Sequence, residues 1–249
     1  MSDSGASLKY HLYQWRFVFQ DLLLPPGCAG CRVVGSHWCD ECKAKQMPIM
    51  GPVCEYCGIP QRSEKICASC QSNPPAFDQV RSFARYENPF RKGIIRLKYH
   101  GSAALGEVFS VFLIQMLLSL QWKFDMVLPV PLSEARHKKR GYNQTALLAH
   151  PISHYFNLPY QPYILQRVRD TRSQVGLTGG ERRENLKNAF LAYEKAVHQK
   201  TVLLVDDVFT TGSTLSACAL ALKSAGAGQV YGIALGRPIG HDHEIWDLI

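Results

Sequence analysis

No lysine follows a glycine-rich loop in the order G-x-x-x-x-G-K-[ST], so the chain has no Walker phosphate loop. The nearest approach to a dinucleotide fingerprint, GAGQVY from Gly226, lacks the third glycine and stands before a strand pattern instead of after one. No H-x-E precedes a P-C-x-x-C, which excludes a zinc deaminase. Met1-Ser2 offers no N-terminal cysteine nucleophile, which disfavours glutamine-dependent amidotransfer. No uncharged apolar run reaches about 18 residues, and residues 1–24 lack the basic, apolar, cleavage-site order of a signal peptide. The longest apolar candidate, Val108 to Trp122, carries Gln115 and predicts a buried helix. These absences predict a soluble, cytoplasmic protein with no transmembrane segment.

Paired cysteines, by contrast, are plentiful. Eight of the nine precede residue 71, as Cys28/Cys31, Cys39/Cys42, Cys54/Cys57 and Cys67/Cys70. Every pair is C-x-x-C, the spacing at which two thiolates converge on one metal, and two such knuckles complete a tetrahedral four-thiolate zinc site. The closer three-cysteine runs of iron–sulfur ligation are missing, and a thioredoxin-like motif would be single and follow a strand. Two structural zinc ions (Zn2+) are therefore expected. The compact pairing joins the first knuckle to the second and the third to the fourth, with an interleaved pairing as the alternative. Cys218 lies on a helical pattern with Leu215, Ala219 and Leu222 and is expected in the core.

The formal charge is +8, and two four-thiolate zinc sites, each net minus two, would bring it to about +4. Residues 1–75 hold 7 Lys and Arg against 6 Asp and Glu, so metal makes that part negative. Residues 76–249 hold 21 against 14. The basic excess of the later part predicts phosphorylated or polyanionic partners, with solubility as the bland alternative.

Leu8, Leu12, Trp15, Val18, Phe19 and Leu22 recur at helical spacing, and the Pro25-Pro26-Gly27 that follows predicts an N-terminal amphipathic helix over residues 1–24. It is expected to pack on the body of the protein; a helix lying at the inner face of the membrane is the sharper alternative. The Pro-rich stretch Gln71 to Gln79 ends a Cys-rich module over 25–75. Beyond it, strand and helix patterns alternate to about residue 240, leaving 241–249, with His241 and His243, as a tail. The strands are expected at Val80–Glu87, Asp125–Leu132, Tyr163–Arg169, Asn188–Tyr193, Thr201–Val205 and Gln229–Gly236. Because several are apolar throughout, an α/β fold follows, with a mostly parallel, doubly wound sheet covered on both faces.

The run VLLVDDVFTTGSTL, Val202 to Leu215, places two adjacent carboxylates at the end of a buried strand and then enters a helix. Open α/β sheets bind ligands at this edge. Thr210, Thr211, Gly212, Ser213 and Thr214 would present successive backbone N–H groups at the positive end of the helix dipole, which suits a phosphate monoester. Asp206 and Asp207 accept hydrogen bonds from neighbouring sugar hydroxyls, and bound Mg2+ or those hydroxyls would relieve their repulsion. A ribose 5-phosphate ligand accounts for both halves of the motif. Capping of the helix by one aspartate is the plain alternative and leaves the other without a task.

This run resembles the phosphoribosyl pyrophosphate (PRPP) signature of type I phosphoribosyltransferases. The four C-x-x-C knuckles, RKGIIRLKYHG, DMVLPVPLSEARHKKRGYNQTALLA and QRVRDTRSQVGLTGGERRENLKNAF together resemble the ComF competence-protein family over about residues 24–237. The resemblance implies a double zinc ribbon over 25–75 and a phosphoribosyltransferase-like domain over 76–240. It also implies PRPP with Mg2+ on Asp206, Asp207 and Thr210 to Thr214, and Arg136 or Arg140 on the diphosphate. Arg172, Gln174 and Arg182 would belong to a catalytic loop closing over the leaving group. It further implies a role in natural transformation and DNA uptake, with single-stranded DNA and other competence proteins as partners. Arg91–Lys98 and Arg136–Arg140 would supply charge for DNA, and Phe90, Tyr99 and Tyr142 stacking surfaces. A zinc module hooding the sugar site belongs to the same expectation.

Overall fold

The computed structural model describes residues 25–62, 65–100, 102–168 and 188–239. The expected N-terminal helix, Arg172, Gln174, Arg182, His241 and His243 lie outside the described residues.

Two short helices come first among the described residues, α1 (Asp40–Ala44) and α2 (Ala68–Ser72), each starting beside the second cysteine pair of a four-cysteine group. There follow β1 (Gln79–Arg85), α3 (Phe90–His100), α4 (Ala103–Leu120), β2 (Met126–Pro129), α5 (Glu134–Arg140) and α6 (Gln144–Tyr155). An antiparallel pair comes next, β3 (Leu165–Arg167) with β4 (Phe190–Ala192), then α7 (Glu194–Val197), β5 (Thr201–Val208), α8 (Ser213–Ser224) and β6 (Gln229–Arg237). The main sheet has the order β1-β6-β5-β2, and all its pairings are parallel.

Alternate residues of a strand point to opposite faces. On one face Val202, Leu204, Leu128 and Val230 pack with Leu215, Cys218, Ala219 and Leu222 of α8. On the other, Leu203, Val205, Val127 and Ile233 pack with Ile94 of α3, Phe109 and Leu113 of α4, and Leu148 and Ile152 of α6. Both faces are buried, which is why Val202 to Val205 is apolar without alternation. Cys218 is fully buried, as expected.

Helix α4 is long and apolar enough to cross a membrane by length and composition, with a mean hydropathy of 1.9, yet half of it is buried within the protein. Its ends are set locally. Ser102 Oγ accepts from the Leu105 N–H, and Gln121 terminates it in the left-handed conformation at φ 53°.

The cysteine module covers the open edge of β1. The Ile49 N–H donates to Phe83 O and the Arg85 N–H to Met47 O, each at 2.9 Å, while the Val80 N–H donates to Tyr56 O at 2.6 Å. An uncovered edge strand invites pairing with another chain, and this contact removes it.

Candidate functional site

The connection from β5 to α8 lies on one face of the sheet, whereas α6, which follows β2, lies on the other. The carboxyl ends of β2 and β5 therefore flank a switch-point crevice, where open sheets take ligands. A cleft of about 130 Å³ occupies it. Asp206, Asp207, Thr210 and Thr214 form its β5 side, and Val130, Leu132, Arg136 and Arg140 its β2 side.

The two aspartates have different surroundings. Asp206 keeps partial exposure, and its Oδ1 accepts from the Asp207 N–H at 2.8 Å. Burial pushes the Asp206 carboxyl up and the charge of Asp207 adds to this, raising it to about 7 against the pull of Lys98 and Arg136. Asp207 is 4% exposed. Its Oδ1 is 3.5 Å from Lys98 Nζ, and both side chains are buried. Asp207 Oδ2 is buried and finds no hydrogen-bond partner among the described residues.

The loop after Asp207 turns on Gly212, at φ 77° and ψ 1°, in the left-handed region that glycine adopts without penalty. A Cβ there would lie 2.7 Å from the Phe209 ring, so the site demands glycine on two counts. Among the described residues no protein group accepts from the backbone N–H of Thr210, Thr211, Gly212, Thr214 or Leu215. The 12-residue α8 stands behind these donors, with the positive end of its dipole toward them. The hydroxyls divide. Thr210 and Thr214 line the cleft; Thr211 Oγ1 and Ser213 Oγ bond each other at 2.8 Å, and Ser213 faces a separate groove between α8 and β4.

The basic side of the cleft comes from α5, capped by Ser133, whose Oγ accepts from the Arg136 N–H, and ended by Gly141 at φ 76°. Arg140 donates to Gln144 Oε1 at 2.8 Å and lies over the Tyr99 ring, 5.0 Å from its centroid. Lys138 and Lys139 are exposed on the same helix. Lys98, Gln144, Thr145 and Arg167 also line the cleft. The sequence offered no signal for Gln144, Thr145 or Arg167, which reach the cleft only through the packing of α6 and the β3–β4 pair. Lys98 belongs to the basic stretch Arg91–Lys98, expected from the sequence to supply charge for DNA. It is 8% exposed and paired inward, and Phe90, at 1% exposure, sits in the aromatic core; neither is available to a nucleic acid. Tyr99 is exposed, and Tyr142 is half-buried with its hydroxyl donating to Leu97 O.

The eight early cysteines form two groups, Cys28, Cys31, Cys39, Cys42 and Cys54, Cys57, Cys67, Cys70, with the sulfurs of each group within 4.8 Å of one another. The compact pairing is thus the one adopted. Cys31 and Cys39 sulfurs are 3.5 Å apart and Cys57 and Cys67 sulfurs 3.7 Å, near the roughly 3.8 Å edge of a tetrahedron with Zn–S bonds of about 2.3 Å. The two groups repeat one design. Cys28 Sγ accepts from the N–H groups of Gly30 and Cys39, and Cys54 Sγ from that of Cys67, all at 3.4 Å. Burial pushes the Cys28 and Cys54 thiols up, but the backbone N–H groups outweigh it and bring them to about 6 and about 7. Thiolates held in this way fit structural zinc, with all four positions taken by protein.

A parallel open sheet with an acid pair and a row of unengaged N–H groups at its switch point, joined to two four-cysteine groups, defines the class: an α/β protein with a mostly parallel sheet that carries a Cys-rich module built to hold two metal ions. Residues 19–71 match the family model of the double zinc ribbon domain. The DNA utilization protein YhgH of Salmonella typhimurium is 32% identical over 219 residues, covering 84% of this chain and 96% of its own. Competence protein F of Haemophilus influenzae is 33% identical over 221 residues, covering 83% and 96%. A solved glutamine PRPP amidotransferase from B. subtilis aligns with 59% of this chain and 32% of its own at 19% identity, with a TM-score of 0.41. The chain belongs to the competence protein F family.

Proposed function

We propose that the protein binds a phosphorylated pentose, PRPP or ribose 5-phosphate, in the cleft between β2 and β5. The observation that carries this reading is the set of N–H groups of Thr210, Thr211, Gly212, Thr214 and Leu215, unengaged among the described residues, beside Asp206 and facing Arg136 across one crevice. The turn holds the 5-phosphate, Asp206 accepts from the ribose hydroxyls, and Asp207 fixes Lys98 at the cleft wall. Arg136, Arg140 and Lys98 give the diphosphate its counter-charge, which Mg2+ arriving with PRPP supplements. Transfer, where it occurs, breaks the bond between the anomeric carbon and the diphosphate oxygen and forms one to a nitrogen of the acceptor. The family resemblance assigns Arg172, Gln174 and Arg182, which lie outside the described residues, to the leaving group.

A second reading, handling of single-stranded DNA, is favoured by the exposed Lys138 and Lys139 beside the cleft and by the names of the relatives, competence protein F and DNA utilization protein. One experiment separates the two. The metal-loaded protein is incubated with PRPP and Mg2+ together with a panel of bases, amines and DNA strands, and pyrophosphate release and PRPP binding are measured in parallel. Release with one acceptor supports a transferase, and binding without release supports a PRPP-binding protein that handles DNA. Absence of PRPP binding rejects the sugar-phosphate reading.

A further inference from the structure

Arg237, the last residue of β6, is 7% exposed, and among the described residues it pairs with no carboxylate. Its two terminal nitrogens turn to the second four-cysteine group: Nη1 donates to Cys57 O, and Nη2 is 3.8 Å from Cys57 Sγ. A buried guanidinium without a counter-charge is costly. Four thiolates on one divalent metal carry net minus two, so the loaded cluster supplies that charge. Arg81, whose Nη1 donates to Glu55 O and Val80 O, lies on another side of the same ribbon.

The other side of Arg237 points at the phosphate turn. Its guanidinium carbon is 4.7 Å from the centroid of the Phe209 ring. That ring fills the space where a side chain at position 212 would stand, and Phe77, just beyond the ribbon, packs edge-on against it at 6.0 Å. The Ala76 N–H also donates to Ser216 Oγ in the first turn of α8. Cys54, Cys57, Cys70, Phe77, Phe209 and Leu215 belong to one continuous core. The first cluster lies on the other side: its Cys28, Cys42 and Trp38 pack with α3 and α4 against the opposite face of the sheet.

We propose that Arg237 is a positioning residue for the phosphate turn, held by the second metal cluster and acting through Phe209, so that metal at Cys54, Cys57, Cys67 and Cys70 and a phosphate monoester at Thr210–Leu215 bind cooperatively. This rests on the turn being a phosphate site. Two ligands that favour the same arrangement must strengthen each other by one common factor, and couplings through a folded domain typically run from about 5-fold to 150-fold.

The test is a competition titration of the full-length, zinc-loaded protein with a chromophoric chelator, with and without saturating ribose 5-phosphate. A Cys39→Ser variant, which spoils the first cluster, identifies the second. The expected result is that ribose 5-phosphate tightens zinc at the second site by about 5-fold or more and leaves the first unchanged. Arg237→Gln weakens zinc at the second site without ligand and erases the effect of the ligand; Arg237→Lys, which keeps the charge but loses the fork and the stack on Phe209, recovers only part. Unchanged metal affinities in Arg237→Gln overturn the proposal. So does ribose 5-phosphate that binds, by calorimetry, yet shifts neither metal site or shifts both equally. If ribose 5-phosphate does not bind, the reading of the turn fails and the coupling fails with it, whereas binding without a metal shift sinks the coupling alone.

Discussion

Asp206 and Asp207 are neighbours in the chain with separate tasks in the fold. Asp206 stands at the cleft with its carboxyl raised to about 7 by burial and by Asp207. In the proposed complex its anionic form accepts hydrogen bonds from the sugar hydroxyls, so affinity for ribose 5-phosphate should rise between pH 6 and pH 8 by more than the ionisation of the phosphate accounts for, and Asp206→Asn should remove that excess and weaken binding about tenfold or more. Calorimetry across pH decides it; the same pH dependence in the variant would assign the titration elsewhere. The sign for stability is opposite. Between the ordinary value of 3.8 and about 7 the folded state retains a proton that the unfolded state has released, so this group's contribution is full below that window and lost as pH rises through it. Asp207→Asn should act on the fold, because it leaves Lys98 buried without its partner. A loss on the order of 3 kcal/mol is expected, read as a lower Tm. Gly212→Ala should cost about 1–2 kcal/mol for the left-handed turn alone, and the approach to Phe209 adds to it.

At the scale of elements, the strands and long helices were legible because apolar runs and helical spacing reflect burial on both faces of one sheet. Val202 to Val205 is an example, and so is the capped α4. Helix α5 was less so. Arg136 to Arg140 carries only charge, and what makes it helical is the Ser133 cap and the left-handed Gly141, signals that lie at its ends. Lys98 misled for a related reason: a charged residue in a basic stretch reads as exposed until Asp207 is placed beneath it. The same geometry moves the DNA reading to α5, where Lys139 and Lys138 are exposed, Lys138 in an ion pair with Glu134 at 2.6 Å. Replacing both by Gln should reduce the salt dependence of single-stranded DNA binding by up to about 1.4 in the log–log slope, two phosphate contacts at about 0.7 each. An unaltered slope would place the DNA surface on another element.

For the whole molecule, the cysteine spacing made the two metal groups readable in advance, but it could not say where the module would sit. The structure lays it along the free edge of β1, with its second ribbon reaching the core beneath the turn that follows β5. Removing Cys54 and Cys57 should therefore halve the bound zinc and lower the stability of the sheet domain as well as the ribbon. Metal analysis with thermal unfolding tests this, and full zinc retention would contradict it. The turn after β5 is proposed to receive the phosphate of a sugar. The most direct measurement of this is an amide NMR titration of the zinc-loaded protein with ribose 5-phosphate, using ribose as the control. Saturable shifts of the Thr210, Thr211, Gly212, Thr214 and Leu215 N–H signals, absent with ribose alone, are the predicted result. Unmoved signals at saturating ribose 5-phosphate would contradict the account.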